Sequence, residues 1–105
     1  MNIQINIGEG ERSAPLREGA EQIVRNALER FGQRITRVEL HLRDHNGPKA
    51  GVDRQCKIEV RLSGRDPITV DATAADAATA LKDAASKAER AVDRLLDKER
   101  TNTRR

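Results

Sequence analysis

A chain of 105 residues is enough for about one domain, and 36% apolar against 35% charged residues predicts a small core beneath a densely ionic surface. No stretch approaches the roughly 18 consecutive apolar residues of a membrane-spanning helix, and a single cysteine, Cys56, excludes an internal disulfide. No signal peptide is recognised either, so we expect a cytoplasmic protein.

The first part of the chain predicts a strand, a helix and a second strand. Residues 2–7 alternate between apolar and polar, as in a half-buried strand, before glycines break the pattern. Ser13 is then a candidate N-cap, and apolar residues follow at helical spacing as far as Phe31. Gly32 is the stop signal of this helix. The alternation resumes over residues 38–43, which indicates the second strand.

Two further strands are predicted after a loop. Residues 45–53 contain Asn-Gly-Pro, a strong turn signal, and are predicted to form that loop. Residues 56–62 and 68–72 alternate again and are separated by a short turn at residues 63–67. Short connections between consecutive strands are typical of an antiparallel meander. Cys56 falls on the apolar side of its strand and is predicted to be a buried small hydrophobic residue.

A long helix completes the predicted domain. Thr73 and Asp76 have the spacing of a capping box, and the helix should span about residues 74–98, followed by a flexible basic tail over 99–105. The order β-α-β-β-β-α is an α+β fold, in a single domain over 1–98. Because each strand has one apolar face and each helix one apolar stripe, both helices should cover one face of a four-stranded sheet. The strand residues expected to be buried are Ile3, Ile5, Val38, Leu40, Ile58, Val60 and Val70.

The positive charge is concentrated near the C-terminal end of the sequence. Residues 1–85 contain 13 basic and 13 acidic residues, whereas residues 86–105 contain seven basic and four acidic ones, so the whole net charge of +3 lies there. At about 100° per residue, four of these cations lie within roughly 80° of one another on the outer side of the last helix. We call them the basic stripe: Lys87, Arg90, Arg94 and Lys98.

Two interpretations of the basic stripe stay open at this stage. Four cations at one-turn spacing can follow a phosphate backbone, which favours a polyanionic partner. A solvated helical face whose cations favour the helix dipole is the alternative. Phe31 is the sole aromatic residue, and stacking of single-stranded bases needs aromatic side chains. Structured RNA, recognised by shape and phosphates, is therefore the nucleic acid that fits better.

Residues that could carry catalysis or bind a metal are sparse. His41 and His45 are four residues apart, but along a strand this is about 13 Å, too far for one metal ion. His41 alternates with Glu39 on the polar side of its strand and is predicted to be part of a surface pair. No nucleophile or acid–base set can be assembled. We therefore expect no enzyme activity, no metal, no cofactor and no small-molecule substrate.

The element order and several local strings resemble the short ribosome hibernation promoting factor and ribosome-associated inhibitor family, also labelled sigma-54 modulation proteins. The similarity runs over about residues 2–98. The strings are Leu16-Arg17-Glu18 at the start of the first helix, Arg34-Ile35 before the second strand, Asp76 at the start of the second helix, and the basic stripe itself, which falls where the family has Lys or Arg.

This resemblance implies a fold akin to double-stranded RNA-binding domains and a factor that silences translation under stress. We expect the protein to be a monomer, although the sequence leaves the oligomeric state open. Its partners would be the small ribosomal subunit and its ribosomal RNA, in the channel otherwise used by messenger and transfer RNA. Arg17 is added to the candidate RNA contacts by the family match, and Arg25 by its outward position on the first helix. The candidates are then Lys87, Arg90, Arg94, Lys98, Arg25 and Arg17.

The sequence departs from the family pattern by placing acidic residues between the cations of the second helix, namely Asp83, Glu89, Asp93 and Asp97. An alternative function is a small protein-interaction module that uses the exposed face of the sheet. That face mixes both signs of charge: Arg37, Glu39, Arg43, Lys57, Glu59, Arg61 and Asp71.

Overall fold

The computed structural model describes residues 1–8, 14–46 and 52–103. The predicted β-α-β-β-β-α order and the α+β fold class are confirmed. The elements in chain order are strand β1 (Asn2–Ile7), helix α1 (Ala14–Leu28), a 3-10 segment (Glu29–Arg34), strand β2 (Ile35–Asn46), strand β3 (Val52–Leu62), strand β4 (Ile68–Ala74) and helix α2 (Ala77–Thr103).

The four strands form one mixed sheet in the order β1-β2-β3-β4. β1 runs parallel to β2, with Ile5 opposite Leu40, whereas β2, β3 and β4 are antiparallel neighbours. The antiparallel meander predicted for the last three strands is therefore confirmed. The parallel pair follows from the connection after β1, because a chain that returns as a helix packed on the sheet enters the next strand in the same direction.

One face of the sheet is shielded from solvent, because both helices pack on it. On β2, Val38, Leu40 and Leu42 are at most 1% exposed, as their alternation predicts. Residues of both helices join the strand residues in a single buried cluster, so the prediction that the helices cover the same face is confirmed. The larger side chains that the helices contribute to this cluster are Val24, Leu28, Leu81 and Val92.

Two residues predicted to be buried lie at the margins of this core. Ile3 on β1 and Val70 on β4 are half-buried rather than buried, although both pack against the cluster. β1 and β4 are the two edge strands, so each has a neighbouring strand on one side only. The prediction of full burial is wrong there, because alternation shows which face a side chain takes but not how far the sheet extends beyond it.

The N-terminus of α2 is capped by Asp76 itself and not by the predicted capping box. The Asp76 carboxylate accepts hydrogen bonds from the backbone N–H of Thr79 at 2.8 Å and from its hydroxyl at 3.1 Å. The backbone N–H bond is the main cause that lowers the pKa of Asp76. Thr73 cannot be the N-cap because it still belongs to β4. A single Asp at the N-cap position satisfies one of the free N–H groups of the first turn.

The end of α1 and the β2–β3 hairpin also differ from the sequence predictions. The α-helix ends at Leu28 and continues as the 3-10 segment, which keeps Phe31 buried and places Gly32 at a φ of +50°. In the hairpin, His45 pairs with Asp53, so the predicted loop is shorter than expected at both ends. Polar residues can continue an exposed ladder after the apolar alternation has stopped. Ser13 and residues 47–51 lie outside the described residues.

Helix α2 continues past residue 98 to Thr103, so part of the segment predicted to be a flexible tail is helical. Glu99 connects this end of the helix to the sheet. Its carboxylate accepts a hydrogen bond from Arg34 Nη1 at 2.7 Å and another from Arg65 Nε at 2.6 Å. Arg34 precedes β2 and Arg65 lies in the β3–β4 turn. The Glu99 carboxylate therefore links the end of α2 to the start of β2 and to the β3–β4 turn.

Replacing Leu81 tests the packing of α2. Leu81 is 2% exposed and is surrounded along the inner face by alanines. Leu81→Ala should lower the free energy of unfolding by roughly 2–5 kcal/mol, because it leaves a cavity that alanines cannot fill. Urea denaturation measures the change. Ser86→Ala, at an exposed position of the same helix, is the control and should shift it by less than about 0.5 kcal/mol. A Leu81→Ala variant as stable as the wild type would contradict this packing.

The ion pairs of Glu99 predict a defined pH dependence of stability. Hydrogen bonds from Arg34, then from Arg65, lower the pKa of Glu99 from 4.5 to about 2. A carboxyl whose pKa is lower in the folded state stabilises the fold above its unfolded value, and this contribution is lost as the pH falls through the folded value. Glu99→Gln should therefore melt below the wild type at pH 7.

The difference in melting temperature between Glu99→Gln and the wild type should shrink between about pH 4.5 and pH 2. Glu18→Gln is the matched control, since Glu18 is exposed on α1 and has no ion pair among the described residues. A Glu99→Gln variant whose melting temperature follows that of the wild type over the whole range would show that the ion pairs do not hold the end of α2.

Candidate nucleic-acid interface

The basic stripe lies on the outer surface of α2. All four of its residues are exposed, and successive members three or four residues apart rise by about 4.5–6 Å along the helix axis. The helix presents them because its other face is filled with small apolar residues that pack on β3 and β4. The arrangement predicted from helical periodicity is therefore present. Whether the stripe binds RNA remains a prediction.

The members of the stripe differ in what they contact. Lys87 Nζ donates a hydrogen bond to the backbone carbonyl of Asp71 in β4 at 2.8 Å. Arg90, Arg94 and Lys98 make no hydrogen bond or ion pair with any residue that the structure describes. Three cations of the stripe are therefore available for a partner. The fourth also holds the helix to the edge of the sheet.

Three of the four acidic residues placed between these cations are engaged elsewhere. Arg30 of the 3-10 segment contacts Glu89 at 3.4 Å and Asp93 at 3.7 Å. Asp97 pairs with Arg100 at 3.2 Å. Glu89 and Asp93 therefore lie on the flank of α2 that faces the 3-10 segment. No ion pair joins these acidic residues to a cation of the stripe among the described residues, although the exposed Asp83 lies one turn before Lys87 on the same side of the helix.

Arg30 is a residue that the sequence analysis missed. Its guanidinium group lies over the ring of Phe31, 4.3 Å from the centroid, in addition to its two ion pairs with α2. A signal was present in the sequence, because Glu89 and Asp93 are four residues apart and so share one side of the helix. Which cation would face them depends on how α1 packs against α2, and periodicity alone does not predict that packing.

The six residues predicted to bind RNA do not form one surface. Arg17 Nη1 donates to the backbone carbonyl of Ile5 in β1 at 2.6 Å, whereas Lys87 contacts β4. Because β1 and β4 are opposite edges of the sheet, these two cations lie on opposite sides of the molecule. Arg25 forms an exposed ion pair with Glu21 at 3.5 Å on α1. The basic stripe is thus a separate surface from Arg17 and Arg25.

The open face of the sheet has the mixed charge that the sequence predicts. Glu39 lies opposite Glu59, and Arg37 opposite Arg61, so like charges meet across β2 and β3. Each arginine pairs instead with a glutamate on its own strand, Arg37 with Glu39 at 3.0 Å and Arg61 with Glu59 at 3.3 Å. His41 lies 3.8 Å from Glu39, as predicted for a surface pair. The two arginines and the two glutamates therefore neutralise one another on the open face of the sheet.

Neither metal-binding clusters nor membrane-spanning helices are found in the part of the chain that the structure describes. No group of three or more His, Cys, Asp or Glu side chains is placed there to hold a metal ion. No helix there is both long and apolar enough to cross a membrane. Cys56 is buried, as predicted, and burial raises the pKa of its thiol to about 12.

With this fold and surface described, comparison with known proteins identifies the class. The chain belongs to the family described as sigma 54 modulation protein / S30EA ribosomal protein, whose model matches residues 3–100. No curated protein sequence matches it.

Two solved structures illustrate the shared fold. The N-terminal domain of protein Y from Thermus thermophilus is similar with a TM-score of 0.67 and 23% identity, over 90% of this chain and 99% of that one. A ribosomal subunit interface protein from Coxiella burnetii gives a TM-score of 0.71 and 19% identity, over 92% and 99% of the two chains. At these identities, the two structures support the fold.

The burial of Cys56 predicts that its thiol is unreactive in the native state. The thiolate is the reactive form, and a pKa of about 12 leaves very little of it at pH 8. Ellman's reagent at pH 8 should therefore label native protein slowly and protein in denaturant at once. Rapid stoichiometric labelling without denaturant, in a sample whose circular dichroism is that of the folded protein, would contradict the buried position.

Proposed function

We propose that this protein is a ribosome-associated RNA-binding factor that docks on the small subunit through the basic stripe and silences translation under stress. The observation that carries the proposal is that Arg90, Arg94 and Lys98 lie exposed on one side of α2 with no partner among the described residues. The description of the family as S30EA ribosomal protein supports the ribosome as the partner. A ribosomal partner in turn implies a cytoplasmic location.

The spacing of these cations suits a phosphate backbone. A rise of about 6 Å for residues four apart is close to the separation of successive phosphates along one nucleic-acid strand. Phosphate contacts supply affinity without reading the base sequence. Since Phe31 is the sole aromatic residue and it is buried, base stacking has no platform on this surface. Structured ribosomal RNA, recognised through its shape and backbone, fits these properties.

Charge removal from the stripe should weaken RNA binding in a salt-dependent way. We expect Arg90→Gln/Arg94→Gln to bind purified small subunits less tightly than the wild type. The slope of log affinity against log salt should fall by up to about 0.9 per lost duplex contact. Sedimentation titrations at several salt concentrations measure both quantities. The fold should persist, because the two arginines are exposed and their like charges no longer repel.

A matched control on the same helix separates position from net charge. Lys82→Gln/Arg100→Gln also removes two positive charges from α2. Lys82 lies on the flank that faces α1, and Arg100 lies about five turns further along the same flank, paired with Asp97. This control should bind like the wild type. Equal losses in both double variants would leave only a general charge effect and reject the stripe. Absence of binding by the wild type would instead favour the protein-interaction alternative, which predicts a partner on the open face of the sheet.

The inhibitory role needs its own measurement. Added in excess to a cell-free translation reaction, the wild type should reduce protein synthesis, because it would occupy the small-subunit channel used by messenger and transfer RNA. Arg90→Gln/Arg94→Gln should reduce it less. Binding to the small subunit without any effect on synthesis would contradict the silencing step while leaving the RNA contact in place.

Arg25 and Arg17 remain proposed contacts of a second surface on the α1 side. Arg25→Gln is the cleaner test, since Arg25 pairs with a surface glutamate and Arg17 contacts the backbone of β1. If RNA reaches α1, Arg25→Gln should reduce the salt slope as a stripe substitution does. An unchanged slope would confine the interface to the β4 side of the molecule.

A further inference from the structure

We propose that the RNA-binding surface continues from the basic stripe across the β4 edge onto the open face of the sheet, where Lys57 is a further phosphate contact. This inference rests on the proposed function and adds to it the course of the RNA over the molecule. RNA would lie across the β4 edge and contact both faces of the sheet there, away from the groove between the two helices.

The carrying observation is that two lysines flank the same residue of β4. Lys57 on β3 lies directly opposite Asp71 in the strand register. Lys87 of α2 reaches the backbone carbonyl of that same Asp71, at 2.8 Å. Lys57 belongs to the open face and Lys87 to the helix side. Since β4 is an edge strand and neighbouring strands are only about 4.8 Å apart, one RNA backbone at this edge can meet both cations.

Among the described residues that the sequence predicts for the open face, Lys57 is also a cation that is not otherwise engaged. Arg37 and Arg61 form ion pairs with Glu39 and Glu59, and Arg43 donates a hydrogen bond to a glutamine at 3.2 Å. Lys57 is exposed and makes no hydrogen bond or ion pair with the residues that the structure describes. Its ammonium group therefore has the same availability as Arg90 and Arg94 on the other side of the edge.

The surroundings of Lys57 are polar and concave. It lines a groove of about 500 Å³ together with Asn6, His41, Gln55 and Thr69. Glu39 and Glu59 also line this groove, and their charges are paired with Arg37 and Arg61. Amide and hydroxyl groups of this kind donate to phosphate oxygens and to the ribose 2′-hydroxyl, which distinguishes RNA from DNA. On β4, the exposed Thr69 and Thr73 flank Asp71 on the open face and extend the same polar character to the edge of the sheet.

Asp71 is the acidic residue that lies directly between the two lysines, and its charge opposes a phosphate there. Its carboxylate lies on the open face beside Lys57 and accepts a hydrogen bond from Gln55 Nε2 at 3.4 Å. If RNA crosses the edge here, Asp71 repels it, so Asp71→Asn should tighten binding. This prediction has the opposite sign to that for Lys57 and comes from the same piece of surface, which makes the pair of substitutions a stringent test.

The experiment compares Lys57→Gln with Lys82→Gln in titrations against purified small subunits and against an RNA duplex of about 16 base pairs. Both lysines are exposed and neither forms a hydrogen bond or an ion pair with the described residues, so each substitution removes one solvent-exposed charge; Lys82 also interacts electrostatically with Asp76. Lys57→Gln should weaken binding and lower the log–log salt slope by up to about 0.9. Lys82→Gln, on the flank of α2 that faces α1, should leave the slope unchanged.

The acidic arm compares Asp71→Asn with Glu18→Gln, an exposed carboxylate on α1. Asp71→Asn should raise the affinity, and Glu18→Gln should not. Equal behaviour of the two lysine variants would overturn the inference, as would equal behaviour of the two acidic ones. If Arg90→Gln/Arg94→Gln still loses binding in that case, the proposed function stands, and only the proposed course of the RNA across β4 is contradicted. If the wild type binds neither the small subunit nor the RNA duplex, both the proposed function and this inference are contradicted. Unchanged melting temperatures exclude misfolding as the cause.

Discussion

The close packing of α2 on the sheet is the contact on which the rest of the molecule depends. Ala80, Ala84 and Ala88 are completely buried along one line of this helix, with Leu81 and Val92 beside them. Alanine side chains allow the helix backbone to approach the strands closely, and most helical stability in a protein comes from such packing of an apolar face. With that line against the sheet, the rotation of the helix about its axis is set. The basic stripe then has to lie over the β4 edge.

The same rotation decides how the charges are used. The flank of α2 that faces α1 carries Glu89 and Asp93, which Arg30 binds, and the last turns carry Glu99, which Arg34 and Arg65 bind. Acidic residues of the helix thus stabilise the contacts within the protein, while the cations of the stripe face outward. A helix that carries both signs of charge can in this way present a basic surface.

Much of the fold could be predicted because its signals are local. Alternation on β2 and β3 correctly places Val38, Leu40, Ile58 and Val60 on the buried face, since side-chain direction in a strand has a period of two. Boundaries were less predictable, as the continuation of the β2–β3 ladder to His45 and Asp53 illustrates. Backbone hydrogen bonds there join residues whose side chains carry no apolar pattern. The N-cap at Asp76 was also mispredicted, because the choice between Thr73 and Asp76 depends on where β4 ends.

The sequence by itself determined that Lys87, Arg90, Arg94 and Lys98 share one outward side of a helix, because helical periodicity relates residues one turn apart without reference to the rest of the chain. Only the tertiary structure decided which of them are free. Lys87 is held by Asp71, 16 residues away, and Glu89 by Arg30, 59 residues away. It also decided that Arg17 lies at the opposite edge of the sheet from the stripe. Contacts of this kind depend on how the strands are ordered and how the helices are rotated, and a pattern confined to one helix carries no information about either.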